Sequence, residues 1–300
     1  MNRTPARIAL LFFGVFCGAT AVIMIKASDE SPLLIAAYRL LLATLFLSPM
    51  FFLQKQNTDL HYGKEQLAWS ALPGIFLAAH FITWTIGVPL TQVSNASLIV
   101  NMTPVVMPFF LWLFFRERVN RKEVLGTMLA ISGLVVLAFS KPDLSLANNR
   151  GDLICFFSML CLAAYLALGR KNGGRLPIWL YMVPLYLIAG LICLGVALPF
   201  INPIKSYSLH NMLLILGLAL IPTIGGHTTL NFSMKYFRGQ VVSVANLGQI
   251  IFASIMGFLF FKEVPPPAFY LTAALIISGV LIALFKGNGN RESIQPTLGK

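Results

Sequence analysis

Long runs of apolar residues, separated by short polar or charged breaks, recur along the whole chain. A helix needs about 20 apolar residues to cross the roughly 30 Å core of a bilayer. Runs of about this length cover residues 7–25, 31–53, 67–89, 94–115, 123–139, 152–169, 177–199, 212–234, 241–261 and 267–285. Continuous apolar runs predict helices, because a helix satisfies its own backbone in lipid. Several runs are short or interrupted, so a count of nine spans is the alternative to ten.

The composition leaves no room for a soluble domain. The 300 residues are 57% hydrophobic and 11% charged, with a mean hydropathy of +0.80. We therefore predict an all-α integral membrane protein. All four cysteines lie in apolar runs without metal-ligand spacing, and we expect neither a metal nor a cofactor. Walker, HExxH and serine-elbow motifs are absent, so we predict that the chain is not an enzyme or an ATP-driven pump.

Positive charge alternates between loops. A net charge of +12 would suggest a nucleic-acid partner in a soluble protein, but here it follows the spans. With ten spans and both termini inside, 16 Lys and Arg residues fall on one side and 5 on the other, with Arg39 inside a span. The positive-inside rule then places the N- and C-termini in the cytoplasm of a multi-pass inner-membrane protein. The bilayer is thus the expected partner, and no nucleic acid is expected.

The second half of the chain repeats the first half at an offset of 146 positions. Phe114-Phe115 and Glu117 align with Phe260-Phe261 and Glu263, and Ile-Ser-Gly at 131–133 recurs at 277–279. A repeat of five helices enters the membrane from opposite sides in its two copies, because five is odd. This is the inverted duplication of many secondary transporters. We predict repeats at 8–140 and 151–286, followed by a polar cytoplasmic tail at 287–300.

Two stretches of the first half combine small residues, prolines and charges in a distinctive order. GVFCGATAVIMIKASDESPLLIAAYRLLLATLFL, from Gly14, has a small-residue helix, then a proline, then an arginine within the second helix. VSNASLIVNMTPVVMPFFLWLFFRERVNRKEVLGTMLAISGLVVL, from Val93, has a small-residue start, a central proline and a closing glutamate. Their order and doubling resemble the EamA type of the drug/metabolite transporter superfamily over nearly the whole chain. The second half departs from the pattern at Ile250, which stands where the first half has Pro104.

The resemblance implies a ten-helix transporter, and families of this type include exporters of amino acids and other small metabolites. It also implies roles for two residues. His80 in the third helix resembles the histidine that lines the central cavity of aromatic amino-acid exporters. Tyr165 stands where an aromatic residue is expected on the sixth helix.

Polar side chains far from the span ends usually face the bundle interior or a water-filled cavity. Here they concentrate on helices three, four, eight and nine, and Arg39 lies inside helix two. His80 and Trp84 are four residues apart, as are His227 and Asn231, so each pair shares a helix face. The predicted solute-binding residues are Arg39, His80, Trp84, Asn101, Tyr165, His227, Asn231, Asn246 and Gln249. The neighbouring Asn95 and Ser97 extend the same lining.

Each of these residues also has a structural interpretation. Asparagines, serines and threonines in spans often form interhelical hydrogen bonds. Arg39 either binds an anionic group or is locked to carbonyl groups and holds helix two in place. Trp84 and Tyr165 are either lining or packing aromatics. Glu117 and Glu263 are expected to be interface groups that pair across the bundle.

No acidic residue is predicted at the centre of the membrane. All ten lie in loops or at span ends. Carboxylate-based coupling to protons or sodium is therefore not expected, and any coupled proton would titrate His80 or His227. The lining of imidazole, amide, hydroxyl and guanidinium groups suits a neutral, zwitterionic or anionic solute.

The predicted function is secondary transport by alternating access, with export of amino acids or related metabolites across the inner membrane. Uptake or exchange of a nucleoside derivative, sugar phosphate or organic anion is the alternative, and a channel-like pore is a further one. A homodimer through the small residues Gly126, Ala130 and Gly133 is also considered. The same residues would serve equally to pack helices five and ten together.

Overall fold

Ten helices make up the bundle in the computed structural model, which describes residues 4–60, 62–87, 90, 99–140, 149–172, 175–262 and 264–284. Across these ranges no strand occurs. The helices are α1 Thr4–Lys26, α2 Pro32–Gln56, α3 Lys64–Gly87, α4 Thr103–Phe115, α5 Arg121–Phe139, α6 Asn149–Asn172, α7 Ile178–Ala197, α8 Leu209–Ser233, α9 Gly239–Phe261 and α10 Ala268–Leu284.

Each helix coincides with one of the ten predicted spans. Eight are long and apolar enough to cross a membrane, and α4 and α10 are shorter apolar helices of 13 and 17 residues. The prediction of an all-α membrane protein with ten transmembrane helices is therefore confirmed. The span predicted at 94–115 begins before α4, and its residues 94–98 lie outside the described ranges.

The fourth helix of each repeat is broken at nearly the same place, one residue apart at the offset of 146. Met102 donates its N–H to Ile99 and accepts from Val105, and Leu247 does the same with Val244 and Ile250. These three-residue spacings replace the four-residue bonds of an α-helix, so α4 begins after a tight turn and α9 is interrupted by one. The second repeat keeps this break although Ile250 replaces the proline. Broken helices of this kind form the solute sites of many inverted-repeat transporters.

The packing of α5 on α10 establishes that the repeats are inverted. A Cβ on Gly126 would lie 2.5 Å from the Gly279 carbonyl oxygen, and Thr272 donates its hydroxyl to the Gly133 carbonyl at 2.8 Å. Gly126 contacts Gly279, whereas Gly133, later in α5, contacts Thr272, earlier in α10. The two helices are therefore antiparallel. At the offset of 146, Gly126 corresponds to Thr272 and Gly133 to Gly279. The two contacts are therefore one contact repeated about a two-fold axis, which equivalent antiparallel helices require.

The other helix contacts obey the same symmetry. α1 packs on α8 and α9, as its counterpart α6 packs on α3 and α4. α2 packs on α8 as α7 packs on α3, and α2 and α7 pack on each other. The ends of the broken helices match as well, since Arg116 and Lys262 are both left-handed, with φ of 56° and 58°. The predicted pair of inverted five-helix repeats is therefore present in the fold.

The small-residue face of α5 is occupied within the chain. Gly126 and Gly133 contact α10, and a Cβ on Gly279 would lie 2.9 Å from the Cβ of Ala130. Of the two interpretations given for these residues, packing of helices five and ten is the one that the structure supports. They offer no surface to a second copy of the chain.

Buried side chains are densest on α2, α6 and α7. Three tyrosines, Tyr165, Tyr181 and Tyr186, are among the largest fully buried side chains. The four cysteines are also buried and free, as expected of small packing residues. Every carboxylate of the described ranges lies in a loop or in the first turn of a helix. The centre of the bundle thus combines aromatic and polar groups without an acid.

Paired charges hold one end of the bundle, which we call the charged end. Glu117, between α4 and α5, lies 3.6 Å from Arg170 Nε and 3.3 Å from Arg238 Nε. Arg238 Nε also lies 2.7 Å from Glu123 in the first turn of α5. These contacts join α5, α6 and the start of α9, as expected of an interface role for Glu117. Glu263 lies outside the described residues.

Candidate solute-binding site

Arg39 places a buried guanidinium in the middle of the bundle. Its side chain projects from α2 and is only 3% exposed. Nε donates to Thr223 Oγ1 at 2.9 Å, and the guanidinium carbon lies 4.6 Å from the Phe81 ring centroid. Nη2 is buried and has no hydrogen-bond partner among the described residues. The guanidinium is therefore oriented by one bond and one ring, with further donor capacity unused.

His227 lies between two rings and close to the same guanidinium. Its imidazole centroid is 5.6 Å from that of Phe81 and 5.9 Å from that of Tyr165. Because Phe81 also faces Arg39, a single ring links the guanidinium to the imidazole. His227 Nδ1 is buried, and in the described part of the chain it makes no hydrogen bond. At the offset of 146, His227 corresponds to Phe81 of the first repeat. Because these two equivalent residues also contact each other, they lie near the two-fold axis that relates the repeats.

Asn231 brings an amide and two tyrosines to the cluster. Its Nδ2 donates to the Tyr165 hydroxyl at 2.5 Å and to the His227 carbonyl at 2.9 Å. Its Oδ1 rests on Gly169 of α6, where any Cβ would collide with it. Neither this oxygen nor the hydroxyl of Tyr181, also near Gly169, has a hydrogen-bond partner in the ranges described. The predicted residues Arg39, Tyr165, His227 and Asn231 thus belong to one cluster.

His80 is held differently, by a single serine of α6. Its Nδ1 lies 2.9 Å from Ser158 Oγ and 3.1 Å from Ser158 O, and Ser158 Oγ donates to the His80 carbonyl at 3.0 Å. Since a carbonyl only accepts, this geometry assigns the proton to Nδ1. The histidine is 6% exposed, and its ring is 5.2 Å from that of Phe81. His80 therefore borders the cluster, with Nδ1 already bonded.

A stretch of π-helix in α8 shapes the cluster. Residues Ala219–Thr228 follow i→i+5 spacing. Pro222 has no N–H for the Leu218 carbonyl, and the Thr223 hydroxyl donates to that carbonyl instead, at 2.7 Å. The same hydroxyl accepts from Arg39, while Tyr186 donates to the Thr223 carbonyl at 2.9 Å. Such π segments are frequent at functional sites.

The polar residues of α9 lie apart from this cluster. Gln249 donates to Asn246 Oδ1 at 2.5 Å, and its amide packs against Gly18 of α1, where a Cβ would lie 2.6 Å from Nε2. In the contacts that the structure describes, these two residues bond to each other, and Gln249 also contacts α1. Gly18 in turn touches Gly226, the residue before His227. The pair is thus one helix removed from the Arg39 cluster.

The remaining predicted positions lie on α3 and just before α4. Trp84 is half-buried on α3, one turn after His80, and Asn101 is half-buried just before the turn that precedes α4. Asn95 and Ser97 lie outside the described residues. Thr83, Thr85 and Thr103 bond back to carbonyls of their own segments, which is the structural role expected of many threonines in spans.

Sequence reasoning missed several members of the cluster, namely Phe81, Ser158, Tyr181, Tyr186 and Thr223. Most are aromatic or small residues inside apolar runs, where packing and lining positions look alike. One signal was available for Thr223. Pro222 and the Gly225-Gly226 pair interrupt a span, and such residues free backbone groups that a neighbour must satisfy.

The sequence matches a known family of transporters. The pattern of the EamA-like transporter family matches residues 5–139 and again residues 149–285, which is one match for each repeat. The chain belongs to the EamA-like transporter family. The resemblance to EamA-type members of the drug/metabolite transporter superfamily is thereby confirmed, and the protein is a transporter.

Individual relatives of this EamA protein are distant. The uncharacterized transporter YdfC of Bacillus subtilis is 24% identical over 93% of this chain and 90% of its own length. Mouse solute carrier family 35 member G1 is 23% identical over 77% of this chain and 65% of its own length. A solved crystal structure superimposes with a TM-score of 0.78 at 15% identity, covering 93% of this chain and 97% of the other. That likeness supports the ten-helix fold.

Proposed function

We propose that this EamA-family protein exports amino acids or closely related carboxylate-bearing metabolites by alternating access. The observation that carries the proposal is the buried guanidinium of Arg39. No carboxylate of the described ranges pairs with it, and its Nη2 is unbonded. A buried charge without a partner is costly. A carboxylate of the solute supplies the missing partner, in the planar geometry that a guanidinium recognises.

The unbonded atoms around Arg39 support a zwitterion over a simple anion. Nearly all buried polar groups in proteins are hydrogen-bonded. Here Arg39 Nη2, His227 Nδ1, the Tyr181 hydroxyl and Asn231 Oδ1 are buried without a hydrogen-bond partner among the described residues, all on side chains within or beside one cluster. The bond from Nδ2 to the His227 carbonyl identifies that atom as the amide nitrogen, so the other atom is Oδ1, which as an amide oxygen only accepts. The carboxylate is assigned to Arg39 and the ammonium group to Asn231 Oδ1.

The inverted repeats support the transport mechanism. Two copies of one five-helix unit, related by a two-fold axis in the membrane plane, can exchange conformations and so open the site to either side. We propose that each half moves as one unit, with bounds near 8–140 and 151–286. The excess of Lys and Arg in alternate loops supports an inner-membrane location with both termini in the cytoplasm. The charged end then faces the cytoplasm.

Flux into proteoliposomes tests the proposal. Purified protein is reconstituted and offered a radiolabelled panel of amino acids, with sugar phosphates, nucleosides and organic anions as the comparison panel. We expect saturable uptake of an amino acid, accelerated by the same solute preloaded inside. Arg39→Gln is expected to lower this flux at least about 30-fold, because it leaves the solute carboxylate unpaired in a buried site. Arg175→Gln, the same change at an exposed loop position, is the control and should leave flux unchanged.

Three outcomes would contradict the proposal. Flux that rises linearly with concentration and shows no counterflow would indicate a pore. Transport restricted to solutes without a carboxylate would mean that Arg39 is a structural anchor for α8. Saturable transport of phosphorylated solutes alone would keep the carrier and replace the solute class.

A further inference from the structure

A second site lies on the flank of the bundle, away from the Arg39 cluster. A cleft of about 230 Å³ opens between α4, α5 and the start of α9. Its walls include Val105, Pro108, Val124, Met128 and Ile131. Val105 and Met128 are 48% and 65% exposed, so the cleft opens outward, where a membrane-spanning bundle meets lipid. The volume falls below the roughly 300 Å³ of typical small-molecule pockets and suits part of one acyl chain.

A proline in α4 accounts for the polar floor of the cleft. Pro108 has no N–H for the Pro104 carbonyl, one helical turn earlier. Gln240 of α9 replaces the missing donor, since its Nε2 donates to Pro104 O at 2.9 Å and to Thr127 Oγ1 at 2.7 Å. Gln240 is only 1% exposed, yet its Oε1 accepts no hydrogen bond from any residue of the described ranges. The cleft therefore has apolar walls and one buried acceptor that is unused.

Unpaired positive charge lies at the mouth of the cleft. Val119, in the loop between α4 and α5, lines it, and the charged end begins there. The two carboxylates nearby, Glu117 and Glu123, are paired with arginines from α6 and the start of α9. This pairing leaves four exposed cations of the loop without a described acidic partner: Arg116, Arg118, Arg121 and Lys122.

The same loop carries a marker of headgroup depth. The Arg116 guanidinium lies 4.5 Å from the ring centroid of Trp112, and that tryptophan is 44% exposed. Tryptophans concentrate where a span meets the membrane surface. Clusters of Lys and Arg at the end of a span, beside an opening between helices, bind anionic lipid headgroups.

We propose that the α4–α5–α9 cleft binds one anionic phospholipid, with an acyl chain against Val124 and Met128 and the phosphate on the four cations of the α4–α5 loop. The free acceptor of Gln240 favours a headgroup that carries hydroxyls, as phosphatidylglycerol does. The lipid would fill the space beside Pro104 and Pro108 and so support the broken helix α4. This site is independent of the solute and of the direction of transport.

Native mass spectrometry of the purified, delipidated full-length protein tests the site by titration with phosphatidylglycerol and, separately, phosphatidylcholine. We expect one phosphatidylglycerol to bind at least about tenfold more tightly than phosphatidylcholine. Val124→Trp fills the cleft without changing the charge. It should therefore abolish the tighter binding of one phosphatidylglycerol relative to phosphatidylcholine. Leu125→Trp, the same change at the neighbouring exposed position outside the cleft, should bind as the wild type does.

Charge is tested by replacing Arg116, Arg118, Arg121 and Lys122 with glutamine together, which should also remove the preference. Lys55→Gln with Lys64→Gln, exposed lysines of the α2–α3 connection, is the control and should retain it. Undiminished binding by Val124→Trp would overturn the proposal, because the cations would then attract lipid without the cleft. Equal binding of the two lipids by the wild type, or an equal loss in the Lys55 and Lys64 control, would overturn it as well. Each variant is compared at matched thermal stability.

Discussion

The third helices of the two repeats, α3 and α8, occupy equivalent places, yet they treat their histidines in opposite ways. α3 is α-helical from Lys64 to Gly87, and His80 has its Nδ1 bonded to Ser158. α8 is π-helical through its centre, and Nδ1 of His227 is buried and has no hydrogen-bond partner in the part of the chain that the structure describes. The scaffold is therefore symmetric while the site is not. The two helices are equivalent in the repeat, but they differ in backbone geometry, because α3 is α-helical and the centre of α8 is π-helical.

This contrast gives a rule for separating binding groups from structural groups in the bundle. A buried polar atom with a protein partner stabilises the fold, and removing the partner costs about 1–3 kcal/mol. A buried polar atom of the Arg39 cluster that has no partner among the described residues costs stability in the empty protein and is a candidate for contact with the solute. This rule predicts that Arg39, His227 and Tyr181 bind the solute, and that His80 and Gln249 have structural roles.

The largest effect that separates α3 from α8 is expected from the same substitution at both histidines. His227→Ala should raise the KM of transport by about tenfold or more, because a solute hydrogen bond in a buried site is lost. His80→Ala should change KM by less than about threefold but lower the free energy of unfolding by about 1–3 kcal/mol, since the bonds with Ser158 are lost. Proteoliposome counterflow and thermal unfolding in detergent measure the two quantities.

The control for His80 is Ser158→Ala, which removes the partner and leaves the imidazole in place. It should reproduce the stability loss of His80→Ala without a change in KM. A pattern in which His80→Ala raises KM as strongly as His227→Ala would refute the asymmetry and restore the symmetric site suggested by the sequence.

A smaller effect is expected from the two buried tyrosines, which repeat the same contrast. The Tyr165 hydroxyl is bonded to Asn231, whereas the Tyr181 hydroxyl has no hydrogen-bond partner within the described ranges. Tyr165→Phe should lower the unfolding free energy by about 1 kcal/mol. Tyr181→Phe removes a hydroxyl without a partner, so it should leave stability unchanged or slightly raised while weakening solute affinity about threefold to tenfold. Thermal unfolding with and without saturating solute measures both, and a destabilised Tyr181→Phe would show that its hydroxyl has a structural partner.

The sequence was sufficient for the fold because the determinants of the fold are local or periodic. Apolar runs of bilayer length locate the helices, and an odd repeat unit forces the inversion that the Gly126 and Gly133 contacts establish. The break in α9 could not be predicted in the same way. The proline of α4 has no counterpart at Ile250, yet Leu247, one position before the counterpart of Met102, makes the same kind of turn.

The site was only partly predictable for a different reason. Position within a span indicates which polar residues face the interior, and Arg39, Tyr165, His227 and Asn231 do meet. Whether such an atom is free depends on a partner remote in the chain. Ser158 lies 78 positions from His80 and has the appearance of an ordinary small residue in an apolar run. No pattern along one helix reveals that this serine bonds to His80 while no described residue bonds to Nδ1 of His227.

The smallest effect is expected on α9, where sequence placed Asn246 and Gln249 in the solute site. Their side chains bond to each other at 2.5 Å, and the amide of Gln249 packs against Gly18 of α1. Gln249→Ala should therefore change transport by less than about twofold and cost about 0.5–1.5 kcal/mol, the usual value of one hydrogen bond. Counterflow at saturating and subsaturating solute distinguishes an affinity effect from a rate effect. A tenfold rise in KM would mean that the amides of α9 face the solute in the other conformation of the transport cycle. The rule that separates bonded from unbonded atoms would then hold only for the conformation of this structure.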